Sequence, residues 1–180
     1  MRGSFSGENR KRAEKINVLV LDVDGVLTDG RIIMDDRGRE SKHFHVRDGH
    51  GIKMLLGAGI DVVLLTGRTS RVVAHRARDL GVREVYQGAK DKVRVFNRMV
   101  LERKMTVDRF AYMGDDIVDV PLFRVVGLAV AVADACSEAR EAAHYVTRLD
   151  GGKGAVREVC ELILRALGKW EGVAVKYNLT

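Results

Sequence analysis

Short, nearly continuous apolar runs alternate along this chain with longer stretches whose apolar residues recur at helical spacing. Residues 16–21 read INVLVL, 61–65 DVVLL, 109–113 RFAYM and 128–132 LAVAV. Runs of this kind are strands buried on both faces, as in a parallel sheet covered by helices. Residues 84–86 and 144–147 read as shorter companions, and 51–58, 70–80, 90–103, 118–125, 136–142 and 155–167 fit helices. The alternation predicts an α/β fold, a three-layer Rossmann-like domain with a central parallel sheet and right-handed crossovers. Residues 30–46 break the rhythm. RIIM, the turn residues Asp36-Arg37-Gly38 and ESKHFHV predict a β-hairpin inserted straight after the first strand. Residues 1–15 read as a tail or lead-in helix, 16–167 as one domain and 168–180 as a C-terminal tail.

Composition narrows the classes. A chain of 180 residues that is 46% hydrophobic can bury a substantial core. Its net charge of +6 and pI near 9.5 suit a nucleic acid, an acidic membrane or a small anionic substrate. The charges are scattered; the one dense run, Arg10 to Lys15, reads as a solvated lead-in. No aromatic stacking platform supports nucleic-acid binding, and no apolar run reaches the roughly 18 residues of a membrane helix. Cys136 and Cys160 have no CxxC partner and read as reduced core thiols. Residues 1–7 lack the apolar segment of a secretory leader, and Met1 to Ser4 are assigned no function. The expectation is a cytoplasmic protein with neither nucleic acid nor membrane as partner. His43-Phe44-His45 alternates faces in the hairpin and reads as packing rather than zinc binding.

Candidate chemistry collects at strand ends. The first strand runs into Asp22-Val23-Asp24-Gly25, and open α/β sheets place ligands at the carboxyl ends of their strands. Two carboxylates there are costly to bury without a partner, and a divalent cation is the natural one. Gly25 lets the backbone turn away. A second cluster, Gly114-Asp115-Asp116-Ile117-Val118-Asp119, follows another strand, so Asp22 and Asp115 can converge on one ion. Oxygen-only ligands suit Mg²⁺. Asp119 falls one turn further on and can instead act as a cap. Thr66-Gly67-Arg68 ends the DVVLL strand and opens a helix, a setting for an anion; Arg68 can equally face solvent. Lys92 starts the next helix, where it can neutralise a phosphate and a nucleophile.

Together DVDGVLTDG, LLTGR, Lys92 and MGDDIVD resemble, in order and placement, the four signature motifs of the haloacid dehalogenase superfamily. FHVRDGHGIKMLL, YQGAKDK, GLAVAVADA, YVT and GGKGAVREVCELIL extend the likeness, over roughly residues 16–167, to its 3-deoxy-D-manno-octulosonate 8-phosphate phosphatases. The resemblance implies a Mg²⁺-dependent phosphomonoester hydrolase in lipopolysaccharide precursor synthesis. Asp22 would be the nucleophile and Asp24 the general acid and base. Asp22, the Asp24 carbonyl and Asp115 would hold Mg²⁺. Thr66, Gly67 and Lys92 would bind the phosphoryl group, with Asp116 and Asp119 orienting the metal's surroundings or Lys92.

Many relatives carry a cap domain. Here the hairpin and one helix use nearly all of the chain between Asp24 and Thr66, and a helix and linker that between Lys92 and Asp115, so no cap domain is expected. The subfamily closes its sites by forming homotetramers, and the hairpin, with Ile32, Ile33 and Phe44, suits that contact. Arg47, Asp48 and His50 lie just past the hairpin and are candidates to approach the sugar; Arg76 and Arg157 are candidates for its carboxylate, and Arg68 is a further candidate for substrate contact. The substrate class is a sugar acid phosphate. A nine-carbon ulosonate 9-phosphate is the nearest alternative. A receiver-like signalling domain is a more distant one, since receivers carry their phosphoaccepting Asp on a middle strand and their acidic pair after the first.

Overall fold

The computed structural model describes residues 7–179; the reading of residues 1–7 as leaderless lies almost wholly outside them. Helix α1 (Gly7–Ala13) precedes β1 (Val18–Leu21), every residue of which is buried. The chain then passes through β2 (Ile33–Met34), β3 (Glu40–Ser41), α2 (Val46–Gly57), β4 (Asp61–Leu65), α3 (Arg71–Leu80), β5 (Glu84–Tyr86) and α4 (Lys92–Arg103). After β6 (Phe110–Gly114) come α5 (Val120–Phe123), β7 (Leu128–Ala131), α6 (Ser137–Ala142), β8 (Tyr145–Val146), α7 (Ala155–Ala166) and α8 (Trp170–Lys176).

Six strands form one parallel sheet in the order β5-β4-β1-β6-β7-β8, and β2 pairs antiparallel with β3 as a separate hairpin. α2 packs against α3 and α7, and α7 against α1 and α8; α5 packs against α4 and α6. Two helical layers therefore sandwich the sheet, the expected α/β architecture. Its core includes Leu19, Leu21, Leu64, Phe96, Phe110 and Phe123. Each such side chain contributes about 1.5–3 kcal/mol by leaving water.

The order of the strands positions the site. β1 is central, and the chain builds outward on one side through β4 and β5 before α4 carries it back to β6 on the other. Ligand crevices of open α/β sheets form where the order reverses in this way. Register then fixes neighbours: Leu21 lies opposite Leu64 of β4 and Met113 of β6. The next residues along the three strands, Asp22, Leu65-Thr66 and Gly114-Asp115, open onto one crevice.

Several boundaries depart from the sequence reading. α2 begins at Val46, not at residue 51. Gly49 and Gly51 weaken the helical signal there, and tertiary contact compensates. A Cβ on Gly51 would stand 3.1 Å from the Arg157 Cα, so the glycine lets α2 and α7 approach closely. The expected helix at 118–125 divides into a 3-10 turn, Ile117–Asp119, and α5, with a proline in its first turn. Residues 168–180 are not simply a tail: α8 buries Val173 and Ala174, and the Arg165 guanidinium lies 3.9 Å from the centre of the Trp170 ring.

Asp48 ties the α2–α7 contact together. Its buried carboxylate accepts from the backbone N–H groups of Gly154 (3.2 Å) and Arg157 (2.7 Å) at the start of α7. Burial raises its carboxyl above the ordinary range, against the lowering effect of those bonds. Asp48→Ala is expected to cost about 1–3 kcal/mol, a fall in Tm of about 2–10 °C for a chain of this size. Thermal unfolding checks this; an unchanged Tm would show the two bonds to be dispensable.

Candidate active site

Asp22 is anchored at the end of β1: its N–H bonds to the Met113 carbonyl (3.0 Å), and its Oδ1 accepts from the Val23 N–H (2.8 Å). Asp115 approaches from the end of β6. Oxygens of Asp22, Asp115 and Asp119 all lie within 4.8 Å of one another. Gly25 makes the convergence sterically feasible, since a Cβ there would stand 2.0 Å from Asp115 Oδ2. The turn holding Gly25 is braced from behind, with the Gly152 N–H bonded to the Val26 carbonyl (2.9 Å).

Asp119 is wholly buried and its oxygens are already used. Oδ1 accepts from Lys92 Nζ (2.6 Å) and the Tyr112 hydroxyl (2.6 Å), and Oδ2 from the N–H groups of Asp115 (2.9 Å) and Asp116 (3.3 Å). Asp22 and Asp115 are left as the pair that can share a cation. The two expectations for Asp119, capping and orienting Lys92, are both realised by one carboxylate. Asp116 accepts from the Ile117 N–H (2.8 Å) and lines the same cavity.

Lys92 lies at the start of α4, which Asp91 caps, and its Nζ is 2.9 Å from Asp22 Oδ2. Burial alone would lower the ammonium's pKa, but Asp22 and Asp119 outweigh it and hold Lys92 above its ordinary value. The single charge of Lys92 does not balance the three carboxylates of Asp22, Asp115 and Asp119. Burial first, then the neighbouring carboxylates, pushes Asp115 up to about 7. Burial also raises Asp22 to about 6, against the pull of Lys92. Such a set of hard oxygen donors, short of positive charge, fits a small divalent cation such as Mg²⁺.

Thr66 completes the floor. It is buried at the end of β4, and its hydroxyl accepts from the Arg68 N–H (3.2 Å). The resulting cavity, about 450 Å³, is lined by Asp22, Asp24, Thr66, Gly67, Lys92 and Asp115, with Arg68 and Asp116. The lining holds every expected catalytic, metal and phosphate-binding residue and one of the two orienting ones; the other, Asp119, lies behind it, bonded to Lys92.

The selectivity candidates divide. Arg68 reaches the site, with Nε 3.7 Å from Asp24 Oδ2 and a terminal nitrogen 3.0 Å from Glu40 Oε1. The others do not line the cavity within one chain. Arg47 and Arg157 line a separate one, Asp48 is committed to the start of α7, and His50 packs edge-on against Tyr177. Arg76 pairs with Asp79 and lies over the Phe44 ring.

Four residues around the site were missed in the sequence. Lys42, its side chain almost wholly buried, bonds to Asp24 and lies 3.2 Å from Glu40. The Ser70 hydroxyl bonds to Glu40 and is the main influence holding that carboxyl below its usual range. Glu40 and Lys42 are two apart in an extended run and so share a face, a signal that was available. Tyr112 gave none, because an aromatic residue inside RFAYM reads as core. Burial and the Asp119 and Asp22 carboxylates push its phenol well above the usual range, so it is a neutral donor.

Comparison with known proteins agrees with this geometry. Residues 81–158 match the family of haloacid dehalogenase-like hydrolases, and that span carries Lys92, Tyr112, Asp115 and Asp119. Fold and site together define an enzyme of that class. The chain is 48% identical over 170 residues to the 3-deoxy-D-manno-octulosonate 8-phosphate phosphatase of Yersinia pestis, covering 94% of this chain and 91% of that protein. It is 46% identical over 167 residues to the same phosphatase of Escherichia coli K12, covering 93% and 89%. The crystal structure of the Moraxella catarrhalis phosphatase, in complex with magnesium, phosphate and KDO, superposes with a TM-score of 0.92. That match is at 37% identity over 94% of this chain and 98% of the other. The chain belongs to the family of 3-deoxy-D-manno-octulosonate 8-phosphate phosphatases.

The pH sign follows from the two raised carboxyls. Both bind protons more tightly in the folded site than in the unfolded chain. Their burial, and then their mutual repulsion, therefore destabilises the metal-free fold as they ionise, and the stability of the protonated forms is lost as pH rises to about 6 and 7. Cation binding must displace those protons and is favoured above this window. The rise in Tm produced by Mg²⁺ over EDTA is expected to be small at pH 5 and substantially larger at pH 8. Paired thermal scans test it, and a larger rise at pH 5 would contradict the assignment.

Proposed function

We propose that the chain hydrolyses 3-deoxy-D-manno-octulosonate 8-phosphate to the free sugar acid and phosphate. The observation that carries this reading is the meeting of Asp22, Asp115 and Lys92 in one crevice at the switch point of the sheet. The curated relatives and the Moraxella complex support the substrate.

In this reading an Asp22 oxygen attacks phosphorus, and the bond from phosphorus to the sugar oxygen breaks. Asp24 gives its proton to the departing alkoxide. It then takes a proton from the water that attacks the aspartyl-phosphate, releasing phosphate and free Asp22. Lys92, Thr66 and the Gly67 N–H hold the phosphoryl oxygens, and Asp119 fixes Lys92. Asp22, Asp115 and the Asp24 carbonyl would hold Mg²⁺, which would supply charge neutralisation. Lys42 and Arg68 hold the Asp24 carboxylate in place. The cavity suits a small acidic sugar phosphate as partner and has no counterpart for nucleic acid; a nine-carbon ulosonate 9-phosphate remains the alternative substrate. No described helix is long and apolar enough to cross a membrane. The two unpaired cysteines fit the cytoplasm.

The domain limits belong to the same reading: a lead-in of residues 1–15, one phosphatase domain of 16–167 and a C-terminal extension of 168–180. β1 and α2 are separated only by the hairpin, and α4 and β6 only by a 3-10 turn. Closure over the crevice is assigned to neighbouring copies in a homotetramer. Exposed Ile32, Ile33 and Met34 on the hairpin support this; Phe44 instead packs against the core.

Asp22→Asn is expected to abolish phosphate release with Tm retained, and EDTA to remove activity that Mg²⁺ restores. Phosphate release from a panel of ulosonate and hexose phosphates should be fastest with the eight-carbon acid; normal turnover by Asp22→Asn would overturn the mechanism. Light scattering should give a mass near four times 20.0 kDa, and a fully active monomer would refute the shared closure.

A further inference from the structure

Tyr112 stands in the middle of β6, between Val20 of β1 and Ala129 of β7, at the centre of a sheet covered on both faces. It is fully buried, and its ring meets Phe123 edge-on with centroids 5.8 Å apart. A phenylalanine would fill this place at no polar cost, whereas a buried hydroxyl must be bonded to be tolerated. The hydroxyl is bonded twice. It donates to Asp119 Oδ1 (2.6 Å) and accepts from Lys92 Nζ (3.0 Å).

Those bonds complete the surroundings of the lysine. An ammonium group has three N–H bonds, and Nζ has three acceptors: Asp119 Oδ1 (2.6 Å), the Tyr112 hydroxyl (3.0 Å) and Asp22 Oδ2 (2.9 Å). The first two belong to a rigid unit, because Asp119 is itself held by two backbone N–H groups. The third is the reacting carboxylate. With only Asp119 behind it, Nζ could swing about that one anchor, since a lysine side chain is flexible. With two fixed acceptors, it has a single orientation.

We propose that Tyr112 is a positioning residue of the reaction, whose hydroxyl sets the direction in which the remaining Lys92 N–H points, toward Asp22 and the phosphoryl group it attacks. The inference rests on the phosphatase reading above. Catalytic groups aimed in advance at developing charge act mainly in the transition state. Loss of this hydroxyl should therefore lower kcat more than it raises KM.

The test uses the Mg²⁺-loaded enzyme, with a phosphomonoester that the wild type hydrolyses. Tyr112→Phe is expected to keep its Tm within a few degrees, to lower kcat by about tenfold and to leave KM roughly unchanged. Orthovanadate, a mimic of five-coordinate phosphorus, should bind about tenfold more weakly, in step with kcat/KM. The vanadate Ki does not depend on the fraction of active protein, so a merely structural loss would not move it. Phe123→Leu, which loosens the same ring packing and spares the hydroxyl, is expected to lower Tm and leave that Ki unaltered. A Tyr112→Phe enzyme with wild-type kcat and vanadate Ki would overturn the inference and leave the phosphatase reading intact. So would an equal loss of vanadate binding in Phe123→Leu, which would assign the effect to packing. A wild type without turnover on any phosphomonoester would instead remove the phosphatase reading, and this inference with it.

Discussion

Repulsion among carboxylates held at adjoining strand ends is the constraint around which this molecule is organised. Asp22, Asp115 and Asp119 have oxygens within 4.8 Å of each other, and the ammonium of Lys92 is the buried cation that faces them. Burial, and then repulsion, raises the carboxyls of Asp22 and Asp115, and their ionisation loosens the fold unless something positive enters. The strand order makes the gathering unavoidable. With β1 between β4 and β6, the residues that follow each strand have one crevice to occupy. The site is thus a local instability that a bound cation would relieve, which ties metal binding to stability.

The remaining features can be understood as consequences. Gly25 is required because Asp115 occupies the space of its missing side chain. Gly114 is required for a similar reason, since a Cβ there would stand 2.4 Å from Asp119 Oδ2. Asp119 serves as structural cement, taking four hydrogen bonds so that the backbone after β6 and the lysine from α4 share one anchor. Tyr112 carries the anchoring into the sheet itself, the stiffest part of the fold. By contrast, Asp24 is held by Lys42, which follows the two short strands of the hairpin, and by Arg68, which follows β4. The proposed nucleophile thus rests on the sheet, and the proposed proton-transfer group meets the hairpin.

Much of the fold was legible in the sequence because buried parallel strands leave an unusual trace, apolar runs without alternation. All six sheet strands could be found in this way, and the hairpin showed itself through its turn residues. The boundaries that failed are those where tertiary contact overrides local preference. α2 starts in a glycine-containing segment because α7 packs against it, and α8 exists because Val173 and Ala174 find the core. In the site, Asp22, Asp24, Thr66, Gly67, Lys92, Asp115, Asp116 and Asp119 were all legible, because polar residues directly after apolar strands stand out.

By itself, then, the sequence determined the class of fold, the strand ends at which chemistry would collect and the oxygen-donor character of the site, since these depend on residue type and local periodicity. Only the tertiary structure decided which groups meet. It gave Asp119 to Lys92 rather than to the cation, brought Lys42 over Asp24 and turned Tyr112 from a core residue into a bonded neighbour of the lysine. It also took Asp48, His50 and Arg157 away from the crevice of their own chain. The physical reason is that hydrogen bonds and ion pairs between distant residues depend on register and layer packing, to which no local pattern along the chain corresponds.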